Sequence, residues 1–281
     1  MLVLALAGTG CGVLGRWTDG PRGVCDAEPV STFGPLVERP QHPVPFFAPR
    51  AGALPPDGPA TVAGVELPPG TACGTYWATD DPLTEMPPMS RLTAAFPKTG
   101  LWPVLWLPPD AHPRDHLRGD GDPRAADRLD AESILRGIWR DRFPGYRFRG
   151  LAQRVPGAGR GELAGDPWRT LTHPMREERG PAPVLVLVSV NRPADVVAAL
   201  APRTTELMSD AERTAVLRSW EERFGAVPMI MEPDSLNVGV DAMPSRSRLR
   251  ELARTFSEVV AFAPGRRTDP TTRFWLLDWR R

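Results

Sequence analysis

The stretch from residue 209 to residue 244 constrains the fold most, because its helix signals and its strand signals follow one another without conflict. Ser209 and Glu212 have the spacing of a capping box, in which each side chain satisfies a backbone N–H at the start of a helix. Apolar side chains then recur at helical spacing on one face, and Gly225 suits the left-handed residue that ends a helix. An apolar run, a Pro-Asp turn and an alternating segment come next. The stretch therefore predicts a helix, a strand, a turn and a second strand.

The remainder of the second half adds further elements. Residues 184–190 (VLVLVSV) are continuously apolar and β-branched, which is typical of a central strand buried on both faces. A short helix is expected at 194–200. Near the C-terminus a helix is expected in which five apolar side chains form a stripe, namely Leu249, Leu252, Ala253, Phe256 and Val260.

The longer predicted elements of the second half have the order of a ferredoxin-like unit, βαββαβ. They are strand 184–190, helix 210–224, strand 227–231, strand 236–241, helix 245–261 and strand 274–279. We therefore expect an α+β fold whose C-terminal half is ferredoxin-like.

The first half is rich in proline, which shortens regular elements; the whole chain has 34 prolines in 281 residues. A strand is expected at 71–78, and 101–107 (LWPVLWL) has the length of a buried strand, although Pro103 favours an edge position or a bulge. Asp130 is a suitable N-cap for a helix. This half should therefore hold short strands and one helix.

Composition divides the chain into four parts. Residues 1–60 are an apolar N-terminus followed by a Pro/Gly-rich arm or linker, and residues 61–150 are an N-terminal α+β part. Residues 151–182 are an irregular connection, and residues 183–281 are a C-terminal α+β domain.

Charge and cysteine content exclude several classes of protein. Lysine plus arginine equals aspartate plus glutamate at 34 each, so no global field attracts nucleic acid, and we expect no nucleic-acid partner. The three cysteines show no Cys-x-x-Cys or Cys/His spacing, which argues against a disulfide framework and a structural zinc site.

The N-terminal residues leave two compartments open. Residues 1–9 are apolar and precede Gly10-Cys11, so they resemble the core and cleavage box of a lipoprotein signal, although a basic start is lacking. The chain is expected to be cytoplasmic or, as the alternative, an exported lipoprotein anchored through Cys11. The apolar run is too short for a transmembrane segment.

Metal and cofactor sites are not expected. His112 and His116 come closest to a metal-binding pair, but Pro113 prevents the helical i, i+4 geometry and no second pair follows. The glycines at 157–161 follow a proline instead of a strand, which does not suit a phosphate-binding loop.

Five residues are candidates for binding. Glu221, Asn237 and Asp241 lie on the polar sides of the predicted helix and strand. Trp275 and Trp279 are four residues apart, hence on one face of the last strand, where they form either an interaction edge or part of the core.

Four segments together resemble a bacterial family known as domain of unknown function 4253. They are VLRSWEERFGA at 216–226, RPADVVAAL at 192–200, DSLNVGV at 234–240 and TGLWPVLWL at 99–107. The resemblance extends over about residues 65–279 and is strongest over 184–262. The chain departs from the family pattern at 201–208, where a Gly-Trp and a tyrosine loop are usual, and at Ala263, where a cysteine is common. The family has no established activity, so the resemblance implies boundaries more than function.

These observations favour a non-catalytic binding or protein-interaction module, of accessory or immunity type, with an unknown protein partner. The competing hypothesis is a hydrolase or transferase whose carboxylates and arginines come from distant segments. Glu221, Asp241 and arginines of residues 110–128 are the candidates for such a site.

Overall fold

The computed structural model of the chain describes residues 48, 50–107, 113–155, 168, 182–203, 208–245, 247–263, 270 and 272–278. Their fold is α+β, as predicted. The strands are β1 (Gly58–Val62), β2 (Val65–Cys73), β3 (Tyr76–Thr79), β4 (Leu101–Trp106), β5 (Val184–Ser189), β6 (Ala226–Met231), β7 (Ser235–Val240) and β8 (Phe274–Asp278). The α-helices are α1 (Met89–Thr99), α2 (Pro113–His116), α3 (Ala131–Arg142), α4 (Val196–Leu200), α5 (Asp210–Phe224) and α6 (Leu249–Phe262), and short 3-10 helices span Pro123–Arg128 and Pro193–Asp195.

Within the described residues the eight strands form one sheet, in the order β1-β2-β3-β5-β4-β6-β7-β8. Neighbouring strands are antiparallel except β4 and β6, which are parallel. Strands from before and after residues 151–182 alternate, since β5 lies between β3 and β4, and β4 lies between β5 and β6. Both halves of the chain therefore build the same sheet.

The second half has the predicted element order, but its strands are not paired as in a ferredoxin-like unit. That unit places its first strand between its third and its fourth, which here would put β5 beside β7 and β8. Instead β5 pairs with β3 and β4. The physical reason is that all six residues of β4 are buried, so this strand takes a central place that element order alone does not reveal.

The sequence suggested that Pro103 would place β4 at an edge of the sheet, but β4 lies between β5 and β6. Leu107 N donates to the Met231 carbonyl (2.9 Å), and because backbone N–H groups alternate along a strand, position 103 also faces β6. Pairing with β6 is confined to the end of β4 in the described residues, so the N–H that proline lacks is not needed. At the start of β4, which is not paired with β6, Trp102 Nε1 donates to the Pro228 carbonyl at 2.8 Å.

The local signals around α5 are confirmed. Ser209 and Glu212 form the capping box, and Gly225 ends the helix in the left-handed region at φ 63°. Asp130 caps α3, accepting from Ser133 N at 2.8 Å. The strand predicted at 71–78 is in fact a hairpin, because Gly74, at φ 59°, turns the chain between β2 and β3.

The core beside β8 is aromatic. Trp220 of α5 packs edge-on against Trp275 of β8, with ring centroids 5.4 Å apart, and against Phe262 of α6 at 5.0 Å. Helix α3 contacts both α5 and α6. Among the described residues, each helix is too short or too polar to cross a membrane.

Candidate functional site

Helix α6 turns a polar side toward the protein, and Glu258 is the centre of that side. Its carboxylate is fully buried and accepts hydrogen bonds from Nη1 and Nη2 of Arg223, at 2.9 Å and 2.6 Å. Trp220 Nε1 donates to it at 2.9 Å, and Ala152 N donates at 2.6 Å. Because a buried charge is tolerated only when it is paired and hydrogen-bonded, these partners fix which side of α6 faces inward.

The first turn of α6 is held in the same orientation. The Glu251 carboxylate accepts from Gln153 N at 2.7 Å and pairs with Arg254 at 3.1 Å. Thr255, which is fully buried, donates its hydroxyl to the Glu251 carbonyl at 2.9 Å. The helix is therefore attached along its polar side to α5 and to the chain at 152–153.

The apolar stripe of α6 lies on the side of the helix opposite Glu258, and Val260 at its end packs against the hydrophobic core. We call the five side chains of the apolar stripe the α6 outer face: Leu249, Leu252, Ala253, Phe256 and Val260. Leu249 is 62% exposed, and the other four are half-buried. Their spacing places them on a single helix face. The inward side of α6 is mixed, because the buried apolar residues Val259 and Phe262 accompany Glu258 there.

Positive charge surrounds the start of the α6 outer face. Arg248 and Arg250, on either side of Leu249 in the sequence, are both exposed. Arg248 is the N-cap residue and makes no side-chain capping hydrogen bond. Since the first turn of a helix carries a partial positive charge, this end of the surface is suited to negative groups.

A second buried carboxylate, Glu221 of α5, connects the helix to the chain after β5. The Arg192 guanidinium donates to it at 2.5 Å, Ala194 N donates at 3.3 Å, and Arg192 also reaches Glu222 at 3.1 Å. Burial raises the pKa of Glu221 to about 7, although Arg192 acts in the opposite direction. A carboxylate that is fully enclosed in this way is a structural contact between α5 and the chain that follows β5.

Arg218 of α5 makes the neighbouring contact. It binds Asp195 at 2.6 Å and Asp127 at 2.7 Å, and it donates to the Pro123 carbonyl at 3.0 Å. Burial raises the pKa of Asp195, and Arg218 partly offsets this effect. These contacts bind the 3-10 helix at Pro123–Arg128 to α5.

The structure does not bring Glu221, Asn237 and Asp241 together. Asn237 alternates along β7 with Val238, whose partner Trp275 packs on α5, so Asn237 lies on the opposite sheet face. Asp241 follows β7, and its backbone carbonyl accepts from Arg273 at 3.0 Å. Glu221 instead accepts hydrogen bonds from Arg192 and from Ala194 N.

The other candidate residues have varied locations. Trp275 is fully buried against α5, as in the core-packing alternative. His116 is half-buried and packs on Trp106 at 5.8 Å. Trp279, His112 and Cys11 lie outside the described residues. Across the part of the chain that the structure describes, no three His, Cys, Asp or Glu side chains are grouped as metal ligands.

The outward direction of the α6 outer face was not foreseen from the sequence. The stripe itself is plain in the spacing of its residues, and Thr255 and Glu258 on the opposite side are equally plain. The missing information was that Arg223, 35 positions earlier, would meet Glu258 and bury the polar side.

Comparison with known proteins gives one match. No curated protein and no solved structure matches the chain. The match covers residues 184–272, from the start of β5 through α6, and this segment contains both buried carboxylates and the α6 outer face. Residues 184–272 match the family described as Domain of unknown function (DUF4253), which confirms the resemblance for this segment.

Proposed function

We propose that this protein is a non-catalytic protein-interaction module that binds its partner through the α6 outer face. The observation that carries the proposal is the apolar stripe of α6, in which Leu249 is 62% exposed to solvent while Glu258 on the opposite side is buried. Leu252 and Ala253, on the same helix face, are half-buried, so a partner that covers Leu249 would also contact them.

Energetics supports the same conclusion. Removing apolar surface from water contributes about 25 cal/mol per Å², so the exposed part of the stripe, chiefly Leu249, lacks stabilisation that burial would provide. That stabilisation is recovered when a partner covers the stripe. Apolar anchors at i, i+3, i+4 and i+7 are also the pattern by which helices bind one another.

The hydrolase or transferase hypothesis has less support. A general acid or base must come within hydrogen-bond reach of the substrate. Glu221, whose pKa burial raises to about 7, is fully buried and already accepts hydrogen bonds from Arg192 and Ala194. Its environment suits a structural ion pair better than an acid or base in a cleft.

The proposal is tested by co-purification of tagged full-length protein from the cells that produce it. Wild type is compared with Leu249→Glu, and with Leu129→Glu as a control that places the same charge at a half-buried leucine elsewhere. We expect a partner that is retained by the control and depleted at least about tenfold by Leu249→Glu, as for loss of an interface anchor. Co-purifying proteins that are unaffected by Leu249→Glu would contradict the proposal.

A further inference from the structure

We infer that Cys73 is a site of reversible oxidation, at which a hydroperoxide converts the thiol to a sulfenic acid and the buried Tyr76 hydroxyl stabilises the added oxygen. This inference goes beyond the proposed function and does not depend on it. Two features of the structure support it, namely the position of the thiol and the missing hydrogen-bond partner of the phenol.

Cys73 and Tyr76 face each other across the hairpin of β2 and β3. They are direct partners in the antiparallel register, so their side chains lie on the same face of the sheet, with Cβ atoms about 5 Å apart. Cys73 is a free thiol and is half-buried, so part of the residue contacts solvent, where a molecule as small as hydrogen peroxide can approach it. Tyr76 is fully buried beside it.

The Tyr76 hydroxyl lacks a good acceptor. It is enclosed by the protein, yet it makes no hydrogen bond of good geometry with the described residues. The Cys73 thiol lies beside it, but sulfur is only a weak acceptor. A buried hydroxyl without a partner is costly, and an oxygen atom bonded to the Cys73 sulfur would supply the missing acceptor.

The ring of Tyr76 is fixed in this position. Gly119 lies so close to the ring edge that a Cβ atom at this glycine would come within 2.8 Å of it. Gly119 is itself held on both sides, because its N–H donates to the Leu200 carbonyl at 3.0 Å and its carbonyl accepts from Thr75 N at 2.8 Å. The hydroxyl therefore stays beside the sulfur and cannot turn to another acceptor without moving these segments.

The surrounding charges favour an added oxygen. Burial, and to a smaller extent the Cys73 thiol, raise the pKa of Tyr76, so the hydroxyl stays protonated and able to donate. Arg114 and Arg203 act on the same hydroxyl through their positive charge. Arg114 also pairs with Asp80 at 2.9 Å, whereas Arg203 is an exposed residue and is the simpler of the two arginines to vary.

Hydrogen peroxide as the oxidant balances the reaction. The sulfur of Cys73 attacks one peroxide oxygen, so that an S–O bond forms while the O–O bond breaks. The sulfur loses two electrons to the peroxide, and the thiol proton leaves with the second oxygen as water. The S–OH oxygen then accepts from the Tyr76 hydroxyl. Dithiothreitol reverses the oxidation, because its two thiols become a disulfide while the sulfenic oxygen leaves as water.

The test follows the lifetime of the sulfenic acid in the full-length protein. Cys11→Ser and Cys25→Ser are present throughout, so that Cys73 is the remaining thiol. Hydrogen peroxide is added and then removed with catalase, dimedone traps the sulfenic acid at intervals, and mass spectrometry of the Cys73 peptide measures the trapped fraction. We expect a trapped product that dithiothreitol abolishes when it is added before dimedone. Cys73 that stays unreacted, or that is found only as sulfinic acid, would overturn the inference.

Two tyrosine variants separate the role of the phenol from general effects. Tyr76→Phe removes the hydroxyl and keeps the ring, and Tyr146→Phe makes the same change at a half-buried tyrosine elsewhere. We expect the lifetime to be about fivefold shorter or more in Tyr76→Phe, as for the loss of one hydrogen bond, and unchanged in Tyr146→Phe. Equal lifetimes in Tyr76→Phe and its parent, or the same shortening in both tyrosine variants, would contradict the assigned role.

A surface variant keeps the inference testable if Tyr76→Phe does not fold, which thermal unfolding of each variant reveals. Arg203 is exposed, so Arg203→Gln should leave the fold unchanged. Loss of its charge should shorten the lifetime of the sulfenic acid about two- to threefold. In that case an unchanged lifetime in Arg203→Gln would overturn the inference.

Discussion

The buried carboxylates of Glu221 on α5 and Glu258 on α6 differ in how many hydrogen bonds offset the cost of their burial. Glu258 accepts hydrogen bonds from Arg223, Trp220 and Ala152. Glu221 has Arg192 and a longer contact from Ala194 N. At the residue scale, this difference gives each carboxylate its own experimental signature.

Glu221 should make stability depend on pH. Its pKa in the folded protein is about 7, above its ordinary value of 4.5, so its contribution is complete below pH 4.5 and is lost as pH rises to 7. Because each pKa unit corresponds to about 1.4 kcal/mol, the loss is roughly 3 kcal/mol. We expect Glu221→Gln to flatten the fall in unfolding free energy between pH 4.5 and 7, measured by urea denaturation. An unchanged slope would show that another group titrates there.

The Glu258 pair should be costly to break. Removing one member of a buried ion pair leaves an uncompensated charge and costs about 3–5 kcal/mol. We expect Glu258→Ala to reduce the unfolding free energy by that amount, because Arg223 is then left without its carboxylate. The control is Glu132→Ala, which breaks a half-exposed i, i+4 pair with Arg136 and should cost less than about 1 kcal/mol. Equal costs for the two variants would contradict this account.

At the scale of a single element, the orientation of α6 predicts different costs for the same substitution on its exposed and buried sides. Leu249→Glu should change the unfolding free energy by no more than about 0.5 kcal/mol, since Leu249 is exposed and glutamate suits the first turn. Val259→Glu on the same helix should cost at least about 3 kcal/mol, because Val259 is buried. Thermal and urea unfolding measure both. A large cost for Leu249→Glu would mean that the stripe packs inward.

What the sequence reveals about an element depends on how close together the determinants are. The start of α5 was predictable because Ser209 and Glu212 are three positions apart, and its end because Gly225 alone supplies the left-handed residue. The side of α6 that faces inward was not predictable, because it depends on contacts with Arg223 and Ala152, which are distant in the chain. The candidate surface was therefore visible as a pattern but not as a site.

The whole molecule is organised by the insertion of β4 between β5 and β6. Length and apolar character identified residues 101–107 as a strand, but they carry no information about its neighbours. The ferredoxin-like expectation followed element order in the second half, and it failed because a strand from the first half lies inside that sheet.

This arrangement predicts that the C-terminal part does not fold alone. A fragment of residues 183–281 lacks β4, so β5 and β6 lose the strand between them, and Trp102 no longer reaches the Pro228 carbonyl. We expect the fragment to show poorly dispersed amide resonances and no cooperative thermal transition, whereas the full chain shows both dispersion and cooperativity. A fragment that unfolds cooperatively would establish 183–281 as an independent domain.

The central position of β4 also bears on how the chain is made. During synthesis β4 emerges before β6. The Pro228 carbonyl, which accepts a hydrogen bond from the Trp102 side chain, follows Trp102 by 126 positions. Pairing between such distant segments is slow, and an apolar strand with an open edge is prone to associate with other chains. We therefore expect the interval between translation of β4 and of β6 to be the period of greatest aggregation risk for this protein, and the period in which a chaperone that shields apolar strands would raise its yield most.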